Sequence, residues 1–345
     1  MLFYYESWEL IKSFMGLIPI NVLNILNSLK KNNYSLYVAQ MQSGKTTTYL
    51  SVASNMLFYN MVKEIIIFSG NRETELRIQT QERAFNKCTV VWGTQLHHFK
   101  PNNNKKLYIW DESHYGQTKN QQVHKFLSKC NLNANNNEQN NNYLLSVSAT
   151  PFSELYNINP KYVIWSVYNS QYWSVKHMLN KQIVGYDDIE LLIKEIKLEN
   201  KYSIIRYSPK YNIKSILEKY NINYILYDQT HNINLDIILQ NKPKKHTSIL
   251  IKGKLQMGKT IQNKTNIQFC IETSQHKKTD ALLQGFIGRF CGYNTNKNTI
   301  IYIPNNIINN GELNKYIDMF ENKTIYPNKG MNLIKNGTNK KEVFN

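Results

Sequence analysis

The sequence predicts two tandem α/β domains, each a mostly parallel sheet flanked by helices, and three observations carry that expectation. Short apolar, β-rich runs alternate with helical patterns along most of the chain. At 345 residues and 41% hydrophobic composition, the chain can fill two cores of ordinary size. The stretch Ala39-Gln40-Met41-Gln42-Ser43-Gly44-Lys45-Thr46 lies where a strand pattern feeds a helix pattern, the junction at which α/β proteins bind anions.

In the first half, residues 8 to 31 show helical spacing. Leu10, Ile11 and Phe14, then Val22, Ile25, Leu26 and Leu29, give two helices separated near Pro19. Tyr34 to Val38 is a strand, and Thr47 to Ala53 continues as a buried helix. Between them, unpaired N–H groups at the helix start and its positive dipole end face an anion. Gly44 allows close approach, Lys45 adds a point charge, and Thr46 offers a hydroxyl for Mg²⁺. Glu64 to Ser69 reads as a buried strand, followed by the loop 70–73 and a helix from Thr74 to Phe85.

Val90 to Gln95 reads as a short strand and turn, and His97-His98 as loop histidines, since no carboxylate or cysteine partner is near in sequence. Leu107 to Trp110 runs into Asp111-Glu112-Ser113-His114, which puts two acids at the C-terminal edge of a sheet facing the loop at 39–46. The Asn-rich stretch 131–142 is a surface loop. A strand from Tyr143 to Val147 then ends in Ser148-Ala149-Thr150-Pro151.

In the second half, 156–200 reads as a linker joining a first domain, 1–155, to a second, 201–322. Tyr168, Tyr172, Trp173, Val175, Met178 and Leu179 form an aromatic helix before Gly185, and both core packing and base stacking stay open for it. Residues 201–207, Tyr224 to Tyr227, Ser248 to Ile251 and Thr299 to Ile303 are strands. Ile213 to Tyr220, Thr279 to Phe290 and Glu312 to Phe320 are helices, and 323–345 is a basic polar tail. Gly258-Lys259-Thr260 resembles a second phosphate loop, a reading rejected because no helical pattern follows Thr260.

Lys and Arg total 42 against 24 Asp and Glu, a net charge of +18. That is the footprint of a protein that meets phosphates, with solubility alone as the plainer reading. The abundance of Asn, Ile, Lys and Tyr also fits an AT-rich genome. Cys88, Cys130, Cys270 and Cys291 are too scattered for a zinc site or disulfide framework. With no leader pattern and no run near the ~20 apolar residues of a membrane span, an intracellular, soluble protein with no membrane partner is expected.

Three segments carry a family resemblance. Ala39-Gln40 with Ser43-Gly44-Lys45-Thr46 resembles motif I of superfamily 2 (DExH/DEAD-like) helicases, Asp111-Glu112-Ser113-His114 resembles their DEAH-like motif II, and Ser148-Ala149-Thr150 resembles motif III. Looser matches are 70–73 to motif Ia, 201–207 to motif IV, 252–260 to motif V, and Gln284 with Gly288-Arg289 to motif VI. Together they span about residues 35 to 305.

The resemblance implies two RecA-like domains, ATP and Mg²⁺ in their cleft, and DNA or RNA across both. It places Gln42, Ser43, Gly44, Lys45, Thr46, Thr47 and Gly258 on the nucleotide, and Thr46 and Asp111 on the metal. Glu112 would orient water and Arg289 would stabilise the transferring phosphoryl group. Arg72, Arg77, Gln79, Thr150, Arg206 and Lys254 would meet nucleic acid.

Two departures stand out. Gln284 and Gly288 are one residue further apart than usual, and Gly292 stands where a second arginine is common. A minimal viral, phage or plasmid-type helicase or translocase is expected, alone or within a replication or transcription complex, in a host cytoplasm or associated with a virus. The rival readings are a motor subunit of a DNA-packaging or restriction-type complex and a non-catalytic ATP-gated nucleic-acid clamp.

Overall fold

A computed structural model describes residues 19–69, 74–99, 105–115, 121–130, 132, 141–206, 211–228, 230–231, 233–253, 260–273 and 279–326. The expected helix before Pro19, the loop at 70–73, most of 131–142, the stretch 254–259 and the tail lie outside these residues. The chain divides into two units, with the boundary between Tyr172 and Trp173.

The first unit holds a six-stranded parallel sheet in the order β3-β2-β4-β5-β1-β6. Its strands are β1 (Tyr34–Val38), β2 (Glu64–Ser69), β3 (Cys88–Trp92), β4 (Lys106–Asp111), β5 (Tyr143–Ser148) and β6 (Val163–Trp165). A parallel sheet covered on both faces needs nearly continuous apolar strands. In β2, Ile65 and Ile67 face one core while Ile66 and Phe68 face the other.

The first core is filled by Val22, Ile25 and Leu29 of the helix Pro19–Asn32 and by Tyr49, Val52, Ala53 and Met56 of the helix Lys45–Phe58. Val123, Phe126 and Leu127 of the helix Gln122–Lys129 fill the second, beside Tyr108 and Trp110. Each Val, Leu, Ile, Phe or Met side chain among them, fully buried, contributes about 1.5–3 kcal/mol.

The second unit repeats the plan with the order β7-β12-β11-β8-β10-β9, again all parallel. Its strands are β7 (Ile183–Tyr186), β8 (Tyr202–Arg206), β9 (Asn223–Asp228), β10 (Thr247–Lys252), β11 (Ile267–Glu272) and β12 (Ile300–Pro304). Two six-stranded parallel sheets flanked by helices are the architecture expected of two RecA-like domains. No described helix is long and apolar enough to cross a membrane.

Several expectations need correction. The stretch 156–200 is not a free linker: β6 extends the first sheet, and β7 with the helices Val175–Lys181 and Ile189–Glu195 belongs to the second. The aromatic helix is reduced to Val175–Lys181, because Tyr168 and Tyr172 are engaged elsewhere. The strand at 90–95 lies at Cys88–Trp92, and Gly93–His98 forms a 3₁₀ helix. The helix expected over 279–290 breaks at Phe286 (φ −140°, ψ −79°), leaving Thr279–Gly285 and a 3₁₀ turn at Ile287–Phe290. Beyond Thr260 the described chain continues into a 3₁₀ turn, Lys264–Asn266, and β11, with no helix of the kind that follows a phosphate loop.

Candidate functional site

Strand order assembles the site. β4, β5 and β1 lie side by side and parallel, so the segments following Asp111, Ser148 and Val38 leave the same edge of the sheet. From β1 the chain goes on to β2 on one side, and from β5 to β6 on the other. The β5–β1 pair is therefore a topological switch point, where open α/β sheets leave a crevice at their carboxyl ends.

The loop after β1 is anchored at its start, where the Ala39 N–H donates to the Ser148 carbonyl at 3.1 Å. Across the loop, the Ser43 hydroxyl donates to the Gln40 carbonyl at 2.6 Å. Gln42 (φ 56°) and Gly44 (φ 87°, ψ 22°) take left-handed conformations, and Gly44 caps the helix Lys45–Phe58. Gly44 has no side chain with which to cap the helix, so its first N–H groups and positive dipole end suit an anion. A Cβ added at Gly44 would meet nothing within 4 Å, so glycine is required here by its backbone angle and not by crowding.

Asp111 ends β4 almost fully buried. Glu112 follows at φ 51°, an uncommon angle for a side-chain-bearing residue, and this sharp turn folds its N–H onto Asp111 Oδ1 at 3.0 Å. Tyr49, one turn into the helix Lys45–Phe58, donates its hydroxyl to Asp111 Oδ2 at 3.3 Å and also hydrogen-bonds Thr46 and Thr80. The Tyr49 hydroxyl thus joins the loop's threonine to the strand's acid. Burial raises the Asp111 pKa, opposed by the Lys45 ammonium, the Glu112 N–H and the Tyr49 hydroxyl. Burial, then Asp111, holds the Tyr49 phenol far above its ordinary range.

A second polar network links the segments after β4 and β5. The His114 Nδ1 lies 3.2 Å from Ser148 Oγ, which also accepts the Thr150 N–H at 3.2 Å. The same nitrogen is 3.6 Å from Glu112 Oε2. The Ser113 and Ser153 hydroxyls donate to the buried Glu154 at 2.8 and 3.1 Å. Burial raises Glu154 to about 7, which the serines oppose and Glu112 reinforces.

The sequence reading misses the tyrosine clasp on the loop. The Gln40 N–H donates to the Tyr168 hydroxyl and the Tyr172 hydroxyl donates to the Met41 carbonyl, both at 2.6 Å. The two rings stack at 4.7 Å. Their segment is tied down by the Asn21 side chain, bonded to Val167 N and O, and by Tyr37, which donates to Ser166. The only trace of this in sequence is the aromatic spacing of 168 and 172, which does not name a partner more than a hundred residues away.

Other expected site residues are scattered. Thr47 is half-buried in the first turn after Thr46. Thr150, expected to meet nucleic acid, is buried. Arg77 is half-buried with its guanidinium 4.9 Å over the Trp92 ring, and Gln79 is half-buried on the same helix, Thr74–Arg83. Arg206, also expected to meet nucleic acid, pairs with the buried Glu272 at 2.9 Å and lies over Phe286.

Arg289 is buried in the second unit, its Nε donating to the Gly285 carbonyl at 3.1 Å. Nearby Lys264 is lowered to about 8, mainly by burial, with Cys291 opposing and Arg289 adding to the shift. Arg72, Lys254 and Gly258 lie outside the described residues.

No protein-family model matches the chain. The chain is 25% identical over 310 aligned residues to an uncharacterized protein of Acanthamoeba polyphaga mimivirus, a match covering 77% of this chain and 78% of that protein.

Proposed function

We propose that this chain is a nucleic-acid-dependent ATPase that works as a superfamily 2 type helicase or translocase. The observation that carries the reading is the meeting of loop and strand at Asp111, which accepts from the Tyr49 hydroxyl and is acted on by the Lys45 ammonium, beside a helix start whose N-cap is Gly44. The basic composition supports a polyanionic partner.

The donor set fits Mg²⁺: the Thr46 hydroxyl and the Asp111 carboxylate are hard oxygens, and this ion commonly takes one or two protein oxygens alongside water and phosphate. Bound there, the ion would neutralise charge on the terminal phosphates of ATP. The N–H groups of the Gly44 turn and helix start bind the phosphates, and Lys45 adds charge to the outer ones. Glu112, whose carboxylate lies 3.6 Å from the His114 imidazole, orients the attacking water. The resemblance of Gly288-Arg289 to motif VI assigns to Arg289 the charge that stabilises the transferring phosphoryl group.

One observation favours a second reading, an ATP-gated clamp without turnover. Gly292 occupies the place of a second arginine, and Arg289 is already bonded to the Gly285 carbonyl. The deciding experiment is ATP turnover with single-stranded DNA, duplex DNA and RNA added separately. At least one should stimulate hydrolysis, and Lys45→Ala should abolish the stimulation. Nucleic-acid binding that ATP strengthens without any hydrolysis would leave the clamp, and a Lys45→Ala protein with most of its turnover would refute both.

A further inference from the structure

The second unit carries a group of cations unused by any motif. The Lys297 and Lys181 ammonium groups lie 4.7 and 5.6 Å from the centroid of the Trp173 ring, and the His177 imidazole stacks on that ring at 5.0 Å. Lys176 adjoins them but is paired with Glu321 at 2.7 Å. Among the described residues no carboxylate pairs with Lys181 or Lys297, and Glu321, the carboxylate that acts on His177, is already paired with Lys176.

The group is also pre-built. Trp173 exchanges backbone hydrogen bonds with Gly292, both at 3.0 Å, and its indole N–H donates to Gln182. The Gln182 amide in turn donates to the Asn296 and Thr299 carbonyls, fixing the turn that carries Lys297. Lys181 and His177 ride on the helix Val175–Lys181.

Two ammonium groups gathered on one ring leave net positive charge that an anion would neutralise. The burial of Trp173 excludes the ring as a platform for a base, which leaves phosphate as the matching chemistry. Burial first, then Lys181, Lys176 and Lys297, disfavours protonation of His177, with Glu321 opposing, and a bound anion would add to the Glu321 effect.

We propose that Lys181, Lys297 and His177, organised by Trp173, form a site for the phosphodiester backbone of nucleic acid on the second unit. The proposal rests on the nucleic-acid partner inferred above.

The test uses the full chain and a labelled single-stranded oligonucleotide of about 20 nucleotides, with affinity measured by anisotropy from about 50 to about 300 mM NaCl. In Lys181→Ala/Lys297→Ala the slope of log affinity against log salt should shrink by about 1.4, two contacts at about 0.7 each. Affinity near 0.1 M salt should fall roughly tenfold. ATP binding without nucleic acid should be unchanged, which reports that the variant is folded. In the wild type, the His177 ring signals should titrate at higher pH once the oligonucleotide is bound.

An unchanged slope and affinity in the variant, with the wild type binding normally, would overturn this site and leave the proposed function standing. A wild type that binds no nucleic acid overturns both. A His177 shift produced by inorganic pyrophosphate but not by the oligonucleotide would overturn the assignment to a backbone.

Discussion

Glu154→Gln gives a prediction that can be worked from the structure. Glu154 is buried behind Ser113, accepts two serine hydroxyls, and is raised from an ordinary 4.5 to about 7, chiefly by burial. Between these values the unfolded chain has lost the proton that the folded chain keeps, so the native state binds more protons and stability falls as pH rises. A shift of that size corresponds to roughly 3 kcal/mol, lost between about pH 4.5 and 7 and flat above.

Glutamine keeps the shape and an acceptor but cannot ionise, so it should be free of this dependence. The assay is urea unfolding of both proteins at pH 5 and pH 8. The stability difference, wild type minus Glu154→Gln, should fall by roughly 3 kcal/mol across that range, and the subtraction removes every group common to both. A difference that stays constant with pH would refute the claim that this carboxyl is kept protonated by burial.

Other outcomes follow from the clasp and from the second unit. Tyr172→Phe keeps the ring stack but leaves the buried Met41 carbonyl without its 2.6 Å donor, at a cost of about 1–3 kcal/mol. Urea unfolding should show that loss, and calorimetry should show ATP affinity reduced, because the loop backbone is no longer held; unaltered stability and affinity would mean the bond does not matter. Arg289→Ala should lower single-turnover hydrolysis on saturating nucleic acid by about 10³-fold, the low end for arginine fingers, with ATP affinity changed much less. Equal and substantial rates would assign the charge to another residue.

The parts of the fold legible in sequence are those whose burial is locally complete. β1, β2, β4, β5, β8 and β10 sit inside their sheets, so both faces are apolar and the runs are continuous. β6 and β7 are short edge strands, and a few residues with one neighbour leave too little pattern to read. β11 is an interior strand whose apolar run is interrupted by Gln268 and ended by the buried Glu272, which weakens its pattern in sequence.

In the candidate site, the loop at 39–46 and the pair Asp111-Glu112 are each local in sequence. The links that join them cannot be read that way. Tyr49 to Asp111, Ser113 to Glu154 and the tyrosines to Gln40 and Met41 all span dozens of residues. Arg206 looks like a free cation in sequence only because its partner Glu272 lies on a strand made adjacent by the fold.

The central claim is that Asp111 and Glu112 divide the work at one ATP site, the first holding the metal and the second orienting water. The most direct measurement pairs ATP·Mg²⁺ binding with single-turnover hydrolysis on saturating nucleic acid, wild type against Glu112→Gln. Binding should be retained, since Asp111, Lys45 and the Gly44 turn are untouched, while hydrolysis should fall by at least about 10²-fold as the water loses its carboxylate. Turnover at the wild-type rate, or loss of binding together with hydrolysis, would contradict the division of roles.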